Sequence, residues 1–250
     1  MYQNPCNATT TYCVSGEEKT VRMRHTTHQQ VNNGYYAVQT TDSKNNIISI
    51  GKAKCPAGYY CVGGEKFECP AGSLGEAGGL WNPTCDGQCP RGYYCVGGEK
   101  HECGSVDKYC PAGSSAPTNV TTGHYSGPSD VNENVRYEET LCPVGYYCVG
   151  GEKFECASGY FGNSTGLTTS QCSGMCKDGY YCESGSTRDD QHECGSVDKY
   201  CPAGSETPLV VPDGYYSGPE DASETTRSEK TICPAGYYCV GGEKFECPAG

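Results

Sequence analysis

The sequence predicts a small disulfide-rich fold, mostly β and irregular. It is read as a tandem, rod-like array of eight-cysteine modules joined by β-hairpin-like linkers. Three observations predict it. The 250 residues hold 21 cysteines. Leu, Ile, Val and Phe together number only 29, about 12 % of the chain. Below roughly 20 %, a chain normally buries too little apolar surface to offset its conformational entropy. The cysteines must therefore supply the stability, and they recur on a fixed ruler.

That ruler is an internal repeat. Cys55-Pro-Ala-Gly-Tyr-Tyr-Cys61-Val-Gly-Gly-Glu-Lys-Phe-Glu-Cys69 returns nearly unchanged at 142–156 and again at 233–247. A variant runs from Cys89 to Cys103 and another from Cys176 to Cys194. Cysteine steps from Cys55 are 6, 8, 16, 4, 6, 8 and 7, and from Cys142 they are 6, 8, 16, 4, 6, 12 and 7. The one difference is a four-residue insertion near Thr187-Arg188-Asp189-Asp190.

The odd count follows from this division. Cys6 and Cys13 match the last two cysteines of a module, and Cys233, Cys239 and Cys247 match the first three. Residues 1–13 are thus read as the end of a preceding module and 233–250 as the start of a following one. Complete modules span 55–110 and 142–201, with linkers at 14–54, 111–141 and 202–232. The sequence is accordingly expected to be an excerpt of a longer array. Met1–Pro5 have neither the basic nor the apolar stretch of a secretory signal.

Each linker contains a Gly-aromatic-Tyr or Gly-Tyr-Tyr start (Gly34, Gly123, Gly214), followed by a polar turn and a run into the next cysteine. Counting back from that cysteine aligns Ile48 and Ile50 with Val135 and Tyr137, and with Thr226 and Ser228. Period-two spacing predicts a strand there, paired with the Gly-Tyr-Tyr strand as a hairpin. No helical periodicity is visible, and glycine at nearly every turn suits positive φ.

Thirty acidic against eighteen basic residues give a net charge of −12. That is the wrong sign for nucleic acid or an anionic membrane. No apolar run is long enough to span a bilayer. Dense cysteines point to an oxidising, extracellular or cell-surface location.

Spacing leaves the pairing open. A neighbour scheme (Cys55–Cys61, Cys69–Cys85, Cys89–Cys95, Cys103–Cys110) and a crossed one (Cys89–Cys103 with Cys95–Cys110) both fit. Cys69–Cys85, with its counterpart Cys156–Cys172, is the preferred single assignment, because it closes a simple loop before the Cys-x3-Cys step.

Cys-Pro-x-Gly-Tyr-Tyr-Cys, followed by Gly-Gly and a later Cys-Pro-Ala-Gly, resembles the cysteine-rich repeats called ephrin-receptor-like. These repeats are distant in style from EGF-like and TNF-receptor-like modules. The stretch 159–172 is similar to the linking part of such repeats in large secreted or cell-surface proteins of protists. The resemblance implies an extracellular, disulfide-bonded, small-β array. It implies no particular activity, because such modules serve as spacers, stalks and receptor ectodomains.

Other chemistry finds little support in the sequence. Structural zinc wants paired knuckles, and only Cys85-x3-Cys89 and Cys172-x3-Cys176 fit loosely. No His-Glu-x-x-His pattern occurs. His25, His28 and His124 lie in linkers. Glu220-Asp221 and Asp189-Asp190 lack the spacing of a calcium loop. No catalytic residue, metal ligand or cofactor is therefore expected. The five Tyr-Tyr pairs (59–60, 93–94, 146–147, 180–181, 237–238) could form aromatic platforms for a ligand. Packing is preferred, one Tyr covering the disulfide and the other the neighbouring module, since few aliphatics are present. Asn7, Asn119 and Asn163 begin N-glycosylation sequons, and the Ser, Thr and Pro of the linkers also suit O-glycans.

The expectation is a structural glycoprotein of an extracellular or cell-surface assembly. It would contact neighbouring modules of its own long chain and self-associate into fibres. The alternative is a receptor or adhesin ectodomain with its binding site on the linkers or with the array as a stalk.

Overall fold

The computed structural model describes residues 11–14, 17–20, 31–41, 43–45 and 47–248. Asn7, Cys6, His25 and His28 lie outside the described residues. Among the described residues there is no α-helix, and the strands pair two by two. The fold is disulfide-rich, mostly strand and irregular, with small hairpins in a repeated pattern.

One local device generates most of these hairpins. Before each Gly-aromatic step the chain makes a four-residue turn. Tyr59 N–H donates to Pro56 C=O at 3.3 Å, with Gly58 at φ +82° in the third position. Positive φ there is the signature of a type II turn and selects glycine. The same bond recurs from Tyr93 to Pro90, Tyr146 to Pro143, Tyr160 to Ala157, Tyr180 to Lys177 and Tyr237 to Pro234. The strand then runs to a second turn and returns to a cysteine whose N–H donates to the starting glycine. Cys69 donates to Gly58 at 2.8 Å and Cys156 to Gly145 at 2.9 Å. In Tyr59–Val62 against Glu65–Glu68 the turn is Gly63-Gly64, with φ of +63° and +85°. Two positive φ values are what a two-residue type I′ hairpin requires.

The linkers also form hairpins: Tyr35–Thr41 with Ile47–Lys54, His124–Gly127 with Glu138–Leu141, and Tyr215–Gly218 with Glu229–Ile232. The expected strand residues Val135, Tyr137, Thr226 and Ser228 lie outside them. Val135 and Thr226 instead end short 3-10 turns, Glu133–Val135 and Glu224–Thr226. Asn132 and Ser223 open these turns, their side-chain oxygens accepting the N–H of Asn134 and Thr225. Such caps favour a turn over a strand. Only the longer first linker carries its strand through the aligned positions, Ile48 and Ile50.

Among the described residues, nine disulfides join neighbouring cysteines: Cys55–Cys61, Cys69–Cys85, Cys89–Cys95, Cys103–Cys110, Cys142–Cys148, Cys156–Cys172, Cys176–Cys182, Cys194–Cys201 and Cys233–Cys239. Cys247 is exposed and unpaired. Among the described residues, every buried apolar side chain except Val211 is a cysteine. The sulfur bridges are the core.

The chain divides into two compact units. One comprises Met1–Gly104, Tyr109–Thr118 and Val131–Tyr137; the other comprises Ser105–Lys108, Asn119–Asp130 and Glu138–Gly250.

Candidate functional site

The repeated feature with the most chemistry is the aromatic–lysine cluster on each Gly-Tyr-Tyr-Cys hairpin. Register places Tyr60 opposite Phe67 and Cys61 opposite Lys66. Side chains alternate faces along a strand, so Tyr60 and Phe67 share one face, while Tyr59, Cys61 and Lys66 share the other. Tyr60 and Phe67 stack with ring centroids 5.3 Å apart. The same pair recurs as Tyr147–Phe154 and Tyr238–Phe245, and with histidine as Tyr94–His101 and Tyr181–His192.

On the other face, Lys66 Nζ lies 4.4 Å from the Tyr59 ring centre and 5.5 Å from that of Tyr36, on the preceding linker hairpin. Lys153 sits likewise between Tyr146 and Tyr125, at 4.9 and 5.1 Å. Lys244 sits between Tyr237 and Tyr216, at 5.5 and 4.7 Å. A lysine ammonium over a tyrosine face is worth about 0.5–1 kcal/mol at exposed sites. Each lysine thus ties a linker hairpin to the hairpin after it. Lys244 also meets Glu220 Oε1 at 2.5 Å. The hydrogen bond to that carboxylate raises its pKa above the usual lysine value.

Backbone contacts reinforce the same joint. Ser126 is fully buried; its N–H donates to Gly151 C=O at 3.0 Å and its hydroxyl to Val106 C=O. Ser217 N–H donates to Gly242 C=O at 2.9 Å in the next copy. The loop supplying Val106 is ordered locally. Ser105 Oγ donates to Asp107, and that bond chiefly holds the Asp107 carboxyl below its ordinary pKa. Both Tyr-Tyr positions therefore have intramolecular partners: lysine for the first and the facing strand for the second. Spacing alone did not reveal the Tyr–Lys–Tyr contact. Its signal was the identical Glu-Lys-Phe-Glu segment at 65–68, 152–155 and 243–246.

Asn119 and Asn163 are both exposed. Asn119 ends a short strand, and Asn163 accepts from Ser164 Oγ at 3.0 Å. A cavity of about 120 Å³ is lined by Thr121, Thr122, His124, Gly150, Gly151 and Thr168, well below the ~300 Å³ at which small-molecule sites begin. Among the described residues no group of three or more His, Cys, Asp or Glu could hold a metal ion. Among them, too, no helix is long and apolar enough to cross a membrane.

No family model matches the chain, and no curated protein matches it.

Proposed function

We propose that the chain is a structural component of an extracellular or cell-surface assembly, a disulfide-stapled repeat glycoprotein of the ephrin-receptor-like kind rather than an enzyme. The observation that carries this is the core of cystines, with Val211 the one aliphatic exception among the described residues. Such a fold depends on an oxidising compartment. The same side chain recurs as an exposed apolar group on four of the five Gly-Tyr-Tyr-Cys hairpins, as Val62, Val96, Val149 and Val240. A repeated surface offers one contact many times over, and this supports self-association. The exposed Asn119 and Asn163 support N-glycosylation.

The test is isolation of the native protein from cell-surface and secreted fractions. Filaments or large assemblies in negative-stain images, with a mass drop on glycosidase treatment, support the proposal. A monodisperse monomer, or a cytosolic pool with free thiols, contradicts it. A second reading, a ligand-binding ectodomain, rests on Leu209, Val210 and Ile232, exposed side chains on the 202–232 linker.

A further inference from the structure

One bridge of each complete module stands apart from the rest. Every cysteine of 55–110 and 142–201 is buried except Cys85 and Cys172, which are half-buried. These two also share a left-handed backbone, with φ of +51° and +50°. A residue with a Cβ adopts that region at a cost. Turn bonds hold it there: Cys85 N–H donates to Asn82 C=O and Cys172 N–H to Thr169 C=O, both at 2.9 Å. Their partners, Cys69 and Cys156, are shielded. Gly75 and Gly162 lie so close that a Cβ at either would sit 2.6 Å from the Cys69 or Cys156 sulfur.

A thiolate attacks one sulfur of a disulfide and expels the other, and access decides which. We infer that Cys69–Cys85 and Cys156–Cys172 are exchange sites for a small thiol, attacked at Cys85 and Cys172, while the other bridges of each module stay closed. In the first step the incoming sulfur bonds to Cys172 and the Cys156–Cys172 bond breaks. The electron pair leaves with the Cys156 sulfur, which takes up the proton of the incoming thiol. A second thiol attacks the mixed disulfide and frees Cys172. Two thiols are thereby oxidised to one disulfide, and their two electrons and two protons reduce the bridge.

Each of these bridges closes the segment that covers the preceding hairpin. Gly58 N–H donates to Gly75 C=O at 2.7 Å and Cys61 N–H to Leu80 C=O at 2.8 Å. Gly145 donates to Gly162 and Cys148 to Leu167, both at 2.8 Å. Exchange loosens this cover and leaves the hairpin's own bridge, Cys55–Cys61 or Cys142–Cys148, intact. The inference holds whether the array is structural or ligand-binding.

The oxidised whole chain is treated with reduced glutathione, alkylated with iodoacetamide at intervals and mapped by mass spectrometry. Glutathione should appear first on Cys85 and Cys172, and the alkyl label on Cys69 and Cys156. Both should appear at least about tenfold faster than on any other cysteine of the two modules. In the trapped product, amide exchange at Gly58, Cys61, Gly145 and Cys148 should quicken by at least about tenfold. Equal rates at all bridges of a module, as global unfolding gives, would overturn the inference. So would glutathione carried first by Cys69 and Cys156, earlier opening of Cys55–Cys61 or Cys142–Cys148, or unchanged exchange at the four amides.

Discussion

The α-carbon of Gly151 packs directly against the backbone of Val106, so closely that any Cβ would overlap the Val106 carbonyl oxygen. Gly242 meets Val197 in the same way one repeat later. The neighbouring glycines of the same turns, Gly150 and Gly241, have nothing within 4 Å of a Cβ. The two glycines of one turn thus serve different purposes. The first allows the turn, and the second also allows the repeats to meet.

Gly151→Ala should therefore cost more than Gly150→Ala. Positive φ alone costs about 1–2 kcal/mol, and the clash adds about 1–3 kcal/mol. Denaturant unfolding of both variants checks this, together with amide exchange at Ser126. Equal losses would mean the Val106 contact contributes nothing.

Lys153→Gln should lower stability by about 1 kcal/mol, the sum of two weak cation–π contacts. A double-mutant cycle with Tyr125→Leu isolates the contact between hairpins. Coupling indistinguishable from zero would reduce the lysine to a solvated surface charge.

Among the disulfides, the 16-residue loop of Cys156–Cys172 should matter more than the 6-residue loop of Cys142–Cys148. Chain entropy gives about 3 against about 2 kcal/mol for replacing each pair by serines. Thermal unfolding of the two double variants orders them. The reverse order would show that packing around the sulfurs outweighs loop closure.

The pH dependence should have two shoulders. The Asp107 carboxyl, held low by Ser105, contributes stability above the ordinary aspartate pKa. That contribution is lost as pH falls through its depressed value. Lys244, raised by Glu220, contributes below the ordinary lysine pKa and loses this as pH rises through its elevated value. Ser105→Ala should remove the acid shoulder and Glu220→Gln the alkaline one, both read from unfolding midpoints against pH. Unchanged shoulders would assign them to other groups.

The cysteine ruler made the array legible because identical spacing survives in sequence. The linker hairpins were legible from Gly34, Gly123 and Gly214. The strands near Val135 and Thr226 were displaced because Asn132 and Ser223 cap a turn there, a local competition that period-two counting ignores. The hairpin within each module was hidden under its cysteines, although Gly63-Gly64 between alternating residues is a two-residue turn signal. Neighbour and crossed disulfides fit the spacing equally, and the choice depends on which hairpin returns beside which. The Gly151–Val106 contact joins loops 45 residues apart, and no local pattern encodes it.

Cystines stand in this fold where other proteins have an aliphatic core. Reducing the whole chain under native conditions, while recording amide proton dispersion by NMR, tests it most directly. The dispersed spectrum should collapse to that of an unfolded chain and recover on reoxidation. A reduced chain that keeps its dispersed amide signals would contradict it.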